Sequence, residues 1–312
     1  MAADNGAMPS FESAGARSGY AVDFFCRAIL LADLIVRYVE FHDGTEMHDE
    51  IPDYFANGLQ EIFQRPTCHL TSIGGGPGYD YVGLSLVNSY QSMLEDSNAA
   101  SNKHHLSTSI HATILDYEEG WYDLVDVMSY ATKECLDFDK TCNKDDDDSS
   151  SESTSSWKNS CNWGGKCDIT KTMTDPANAA CLAQVETTDL WTCQYCVAEN
   201  AELLRGSDFV FFRDLLAMAK EGSVFLFTET THRLWPEFVG IAEELSHGFE
   251  VTFPRIIGRK GTQMVLRKKF GAITGVEQKH LCANFILDRD NHERKIENGY
   301  ARQTRKVRGA KY

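Results

Sequence analysis

Three glycines at alternate positions, Gly74, Gly76 and Gly78, stand in the run Ser72-Ile73-Gly74-Gly75-Gly76-Pro77-Gly78-Tyr79-Asp80, directly after a β-like stretch and directly before a helix-like one. That context places them in a strand-to-helix turn at the carboxyl edge of a sheet, where doubly wound folds bind their ligands. Glycine serves there because some turn positions need φ > 0 and because a side chain would keep a cofactor off the backbone. The spacing rules out two common cofactor classes. A dinucleotide fingerprint counted from Gly74 needs its third glycine at Tyr79, and a phosphate-cradling P-loop needs a Gly-Lys-Ser/Thr that is absent. Further on, Ile114-Leu115-Asp116 is an apolar strand ending in a carboxylate. An acid at that place accepts hydrogen bonds from both hydroxyls of a ribose.

Together the Gly74-x-Gly76-x-Gly78 turn and the strand-ending Asp116 resemble the first motifs of class I S-adenosylmethionine (SAM)-dependent methyltransferases. The resemblance covers about residues 66–269 and implies SAM as cofactor. Gly74, Gly76 and Gly78 would cradle its methionine part, Asp116 would take the ribose, and Tyr117 would lie near the adenine face. Lys166-Cys167-Asp168-Ile169-Thr170 resembles the segment after the third strand, which makes Asp168 the partner of the adenine amino group. Plainer roles stand beside these: Asp168 as a turn or cap residue, and Trp121 as a core aromatic instead of a wall of the adenine pocket.

The acceptor would bind after the fourth strand, in Cys193–Asn200, and at the end of the fifth, in Phe227–His232. Glu199, Asn200, Glu229 and His232 are the candidates for a base and polar contacts, with Tyr195 orienting the acceptor. Against this, Glu199 and Asn200 also suit helix capping and His232 a surface position. No Asn/Asp-Pro-Pro-Tyr/Phe and no Pro-Cys motif follows the fourth strand, which counts against methylation of base amines, glutamine or cytosine C5. The reading is therefore methyl transfer to a small molecule or a protein. Its rivals are an RNA-directed methyltransferase and a non-catalytic binding module on the same fold.

The elements that must hold these residues alternate in kind. β-like runs at Cys68–Ile73, His111–Leu115, Thr188–Cys196 and Ser223–Thr228 are followed by helix-like runs at Tyr81–Tyr90, Trp121–Ala131, Asp208–Ala219 and Leu234–Leu245. Alternation of this sort predicts an α/β, doubly wound, mostly parallel sheet. Phe249–Ile257 and Gly261–Lys269, separated by a short turn at Gly258–Gly261, predict an antiparallel β-hairpin that closes it; the resemblance implies seven strands. Residues 1–18 read as disordered and 19–65 as a helical lead-in, with one helix over Ala21–Val39 and another near Tyr54–Phe63. Within a core domain of 66–270, residues about 137–160 read as a solvated acidic and serine-rich insertion and 88–110 as a smaller one. Residues 271–312 form a C-terminal extension with a basic tail.

A chain of 312 residues with 42% hydrophobic residues can bury one large core. Its formal charge of −16 counts against a whole-surface grip on nucleic acid. A local grip is still available from Arg302, Arg305, Lys306, Arg308 and Lys311 with Arg255, Arg259, Lys260, Arg267, Lys268 and Lys269. The apolar stretch Ala21–Val39 carries Asp23, Arg27, Asp33 and Arg37 on one arc, so it reads as an amphipathic helix and not a membrane span. With no secretion signal, the expected place is the cytoplasm, or the nucleus, and the ten cysteines are expected as thiols. Cys193-Gln-Tyr-Cys196 has no second CxxC or His pair at ligand spacing, so no metal is expected.

Overall fold

The computed structural model describes residues 11–40, 59, 61–63, 65–97, 108–142, 159–230, 234–245, 248–252 and 262–271. In chain order these form α1 (Ala14–Asp23), α2 (Cys26–Glu40), β1 (Thr67–Ile73), α3 (Tyr79–Ser97), β2 (Ser109–Asp116), α4 (Tyr122–Cys142), β3 (Ser160–Lys166) and α5 (Ala179–Leu182). They continue as β4 (Leu190–Gln194), α6 (Ala201–Gly206), α7 (Val210–Met218), β5 (Val224–Glu229), α8 (Trp235–Glu244), β6 (Phe249–Thr252) and β7 (Thr262–Lys268).

The seven strands lie in the order β3-β2-β1-β4-β5-β7-β6. β1 to β5 pair in parallel, and β7 runs antiparallel between β5 and β6. This is the doubly wound, Rossmann-like and mostly parallel sheet expected from the sequence, closed by an antiparallel pair. The strand order reverses at β1, which is flanked by β2 on one side and β4 on the other. The crevice beyond the carboxyl ends of β1 and β4 is therefore the place this topology leaves for a ligand.

Strand periodicity sorts the core onto two faces. Val224 and Leu226 join Cys68, Leu70, Ile110 and Leu84 on the face covered by α2 and α3. Phe225 and Phe227 join Trp191, Phe212 and Phe238 on the face covered by α7 and α8. All six residues of β5 are buried, as suits a strand covered on both sides. Phe238 packs against both Phe212 and Phe227 with ring centroids 4.8 Å apart, tying α7 and α8 to the sheet.

Several expectations need correction. The segment assigned to disorder is helical from Ala14, because Ser13 caps α1 and the Arg17 guanidinium is buried while donating to the carbonyls of Phe11 and Glu12, each at 2.7 Å. The single helix expected over Ala21–Val39 is broken at Phe24 and Phe25 into α1 and α2. Parts of the segments expected as insertions are regular structure, for α4 runs to Cys142, β3 starts at Ser160 and α3 runs to Ser97. β3 escaped notice because it is an edge strand with little apolar content. Its Gly164 faces β2 so closely that a Cβ there would stand 2.4 Å from Thr113 Cγ2, next to a register shift at Ile114/Leu115. The hairpin turn at Gly258–Gly261 and the tail from residue 301 fall outside the described residues. Among those residues no helix is long and apolar enough to cross a membrane.

Candidate functional site

The glycine turn leaves β1 and is sewn to the end of β2. Gly75 N–H donates to Leu115 O at 3.1 Å and Gly76 N–H to Asp116 Oδ2 at 2.9 Å. The other oxygen of Asp116 accepts from Glu118 N–H at 3.0 Å. Burial pushes the Asp116 carboxyl up to about 6, against the pull of those backbone donors. A carboxylate held at both oxygens presents its remaining lone pairs in one fixed direction.

The glycines are not interchangeable. A Cβ at Gly75 would stand 2.3 Å from Ser72 Oγ, so Gly75 is required by close approach. Gly76 has φ +49 and open space, its nearest atoms being those of Trp121 at 3.8 Å and beyond. Gly75 thus builds the turn, and Gly76 leaves room above it.

Under the turn, at the start of α3, Asp80 is buried. Its carboxylate accepts from Ser72 Oγ at 2.6 Å and from the side chains of Thr192 and Gln194. Burial raises its pKa, offset in part by those donors. Asp80 fastens β1 to β4 at the crevice and sits favourably at a helix N-terminus. The signal for it lay in the sequence: Ser72, Thr192 and Gln194 are polar residues at the ends of apolar strands, and buried polar groups need partners.

Above the turn opens a cavity of about 510 Å³, a size suited to a nucleoside cofactor with room beside it. Gly74, Gly76, Asp116, Tyr117, Trp121 and Asp168 all line it, whereas Gly78 is a correction: with φ +91 it shapes the turn, facing Ile114 and Cys161 and not the cavity. Tyr117 is exposed, with Lys166 Nζ 4.6 Å from its ring centre. Trp121 serves both roles considered for it, being buried and packed against Phe11 and Tyr20 at 5.1 and 5.6 Å while also facing the cavity. Asp168 likewise combines roles: Oδ1 accepts from Thr170 N–H at 3.0 Å and from Thr170 Oγ at 2.6 Å, forming a turn at the cavity wall.

The acceptor-side candidates separate. Glu199 and Asn200 line the cavity, and burial raises the Glu199 pKa while Arg27 lowers it. Asn200 Nδ2 donates to Cys196 O at 2.8 Å, which shapes the loop after β4. Glu229 is a correction. It is buried at the end of β5, where Oε1 accepts from Val197 N–H at 2.6 Å and Ala198 N–H at 3.0 Å, so it anchors that loop and does not line the cavity. Burial pushes its carboxyl up to about 7. His232 lies outside the described residues. Tyr195 faces the cavity from a left-handed backbone, φ +56, a conformation that concentrates at functional sites.

Sequence reasoning missed the contribution of α1 and α2. Phe11, Glu12 and Tyr20 line the large cavity, and a smaller adjoining recess lies between Tyr20, Arg27, Gly74, Pro77, Asp80 and Gln194. The polar composition before Tyr20 hid this, although the Phe11 and Ser13 pair ahead of a helix was a legible start signal. Of the basic residues considered for a phosphate grip, three are described, and each has partners of its own. Arg267 pairs with Glu61 at 2.5 Å, Lys269 with Glu250 at 3.4 Å, and Lys268 Nζ is buried against the carbonyls of Leu216, Ala217 and Ala219 at the end of α7. Cys193 and Cys196 are free thiols, and among the described residues no three metal-ligating side chains converge.

No protein-family model matches the chain, and no curated protein matches it in sequence. Solved structures similar to it include a SAM-dependent methyltransferase from Methanosarcina mazei, 8% identical with TM-score 0.40, covering 70% of this chain and 98% of that one. A TehB-like SAM-dependent methyltransferase from Corynebacterium glutamicum is 12% identical with TM-score 0.39, over 82% of this chain and 100% of its own. A putative SAM-dependent methyltransferase from Methanococcus maripaludis is 13% identical with TM-score 0.38, over 86% and 100% respectively. Likeness at this level concerns the fold, and the functional reading rests on the site's own geometry.

Proposed function

We propose that the chain is a SAM-dependent methyltransferase acting on a small molecule or a protein. The observation that carries this is the joint built by Gly76 and Asp116. An open glycine with φ +49 is hydrogen-bonded to a strand-ending carboxylate, and both face one cavity at the point where the strand order reverses. The residues present fit the cofactor. The space that a Cβ at Gly76 would begin to fill is the space the cofactor's backbone-hugging part needs, and Asp116 offers aligned acceptors to a ribose.

SAM, when bound, supplies a methyl group on a sulfonium, open to in-line attack. The chain's own part is to hold and exclude. Asp116 fixes the ribose end, Gly74 and Gly76 of the turn support the methionine part, and Trp121 with Phe11 and Tyr20 keeps water from one wall. Glu199, at the cavity edge beside the loop after β4, is the candidate to take a proton from the acceptor, and burial, which raises its pKa, makes it the stronger base. Arg267, Lys268 and Lys269 are engaged with neighbours of their own, which argues against RNA as acceptor.

The test is transfer of labelled methyl from SAM into fractions of an extract, with the Gly76→Val protein as control. Incorporation that depends on intact Gly76 supports the enzyme. Binding of SAM without labelled product in any fraction gives the fold to a non-catalytic role.

A further inference from the structure

Arg27 lines the recess beside the glycine turn and has no part in the reading above. It leaves α2 half-buried, and its guanidinium is enclosed by aromatic faces: the ring centres of Tyr195, Phe24 and Tyr20 lie at 4.2, 4.6 and 5.2 Å, and Nη1 donates to the Tyr20 hydroxyl. Rings hold a cation in place without neutralising it. Glu199 and Asp80 are within electrostatic reach, yet among the described residues Arg27 forms no ion pair with a carboxylate. The head group borders the small recess whose floor is Gly74–Pro77.

Its surroundings make that charge distinctive. Glu12, Asp116, Glu118, Asp168 and Glu199 all line the large cavity, whose lining contains no lysine or arginine. An acidic cavity suits a sulfonium and an ammonium but repels a carboxylate. Among the described residues Arg27 is the one cation lining the adjoining recess, which Asp116 does not line and whose carboxylate, Asp80, is already held by Ser72, Thr192 and Gln194. A guanidinium offers several donors in a fork that matches a carboxylate, and with Tyr20 taking only one of them the rest remain available.

We propose that Arg27 binds the α-carboxylate of SAM, and that Tyr20 and Tyr195 hold the guanidinium in position for it. The proposal rests on the SAM reading and adds an end-to-end polarity to it: ribose at Asp116, carboxylate at Arg27. It makes Arg27 a determinant of cofactor selection, since a sulfonium nucleoside lacking the carboxylate leaves the guanidinium unanswered in a low-dielectric recess.

The experiment measures dissociation constants of full-length protein for SAM and for decarboxylated SAM, which keeps the sulfonium, the nucleoside and the amine. Wild type is expected to prefer SAM about 10- to 100-fold, the scale of hydrogen bonds to a charged group. Arg27→Met should remove that preference by weakening SAM alone, and Arg27→Lys should restore part of it. Equal binding of the two ligands by wild type overturns the assignment without any variant, so a misfolded variant does not protect it. Equal loss for both ligands in a folded Arg27→Met protein also overturns it, by making Arg27 a packing residue. An unchanged SAM affinity in that variant overturns it too, and gives the guanidinium to the acceptor. Failure of wild type to bind either ligand is a different result, for it removes the SAM reading itself and this assignment with it.

Discussion

Asp116 gives the most quantitative expectation. Its carboxyl is pushed up to about 6 by burial, and a ribose diol needs the carboxylate form as acceptor. SAM should therefore bind only to the ionised fraction, and its apparent affinity should rise with pH through that value. At pH 5, one unit below, the carboxylate is about 9% of the population, so the apparent Kd should be about 11-fold weaker than its plateau. That factor corresponds to ~1.4 kcal/mol. Calorimetric titration of SAM from pH 5 to 7 reads the slope directly. Asp116→Asn should lower affinity throughout and flatten the curve, because no group at the ribose then changes charge. Glu229→Gln should leave the slope in place, since Glu229 does not line the cavity. A wild-type affinity flat from pH 5 to 7, or a slope that survives in Asp116→Asn, would refute the assignment.

Other outcomes follow from single contacts. Glu229 is raised from 4.5 to about 7 by burial, so its folded value lies above its unfolded one. Its contribution to stability is fully present below about 4.5 and is lost as pH rises through about 7, amounting to about 3 kcal/mol. Urea denaturation should then show Glu229→Gln matching wild type near pH 4.5 and exceeding it by about 3 kcal/mol at pH 8; a gap independent of pH would contradict this. Gly75→Ala should cost about 3 kcal/mol or more in the same assay, because its Cβ meets Ser72 Oγ at 2.3 Å beside the rigid β1–β2 pair. Lys268→Met should cost about 2–4 kcal/mol by leaving the carbonyls of Leu216, Ala217 and Ala219 without their donor. A loss under about 0.5 kcal/mol would show that water replaces the ammonium there.

What the sequence made legible was what repeats a local rule. The alternating β-like runs became β1, β2, β4 and β5, and the glycine spacing with Asp116 pointed to residues that line the cavity. What stayed hidden depends on partners distant in sequence. Glu229 reads as a free acid at a strand end, and only the fold brings the Val197 and Ala198 amides to it. Lys268 reads as part of a basic patch, yet its ammonium closes a helix some fifty residues earlier. Arg27 sits on the polar arc of an amphipathic pattern, and nothing local says that this arc faces the glycine turn. β3 was hidden for the opposite reason: its partner β2 supplies the apolar contacts, so the strand itself contains Asn162, Gly164 and Gly165 where a propensity reading looks for branched residues.

The central claim is that the space above Gly76 is the SAM site, and calorimetric titration of SAM into wild-type and Gly76→Val proteins tests it most directly. Wild type should bind one equivalent. The valine protein, folded by circular dichroism, should give no binding heat, because its side chain projects from a φ of +49 into the space between the turn and Trp121. Absence of binding in wild type, or an unchanged Kd in the folded valine variant, would contradict the account.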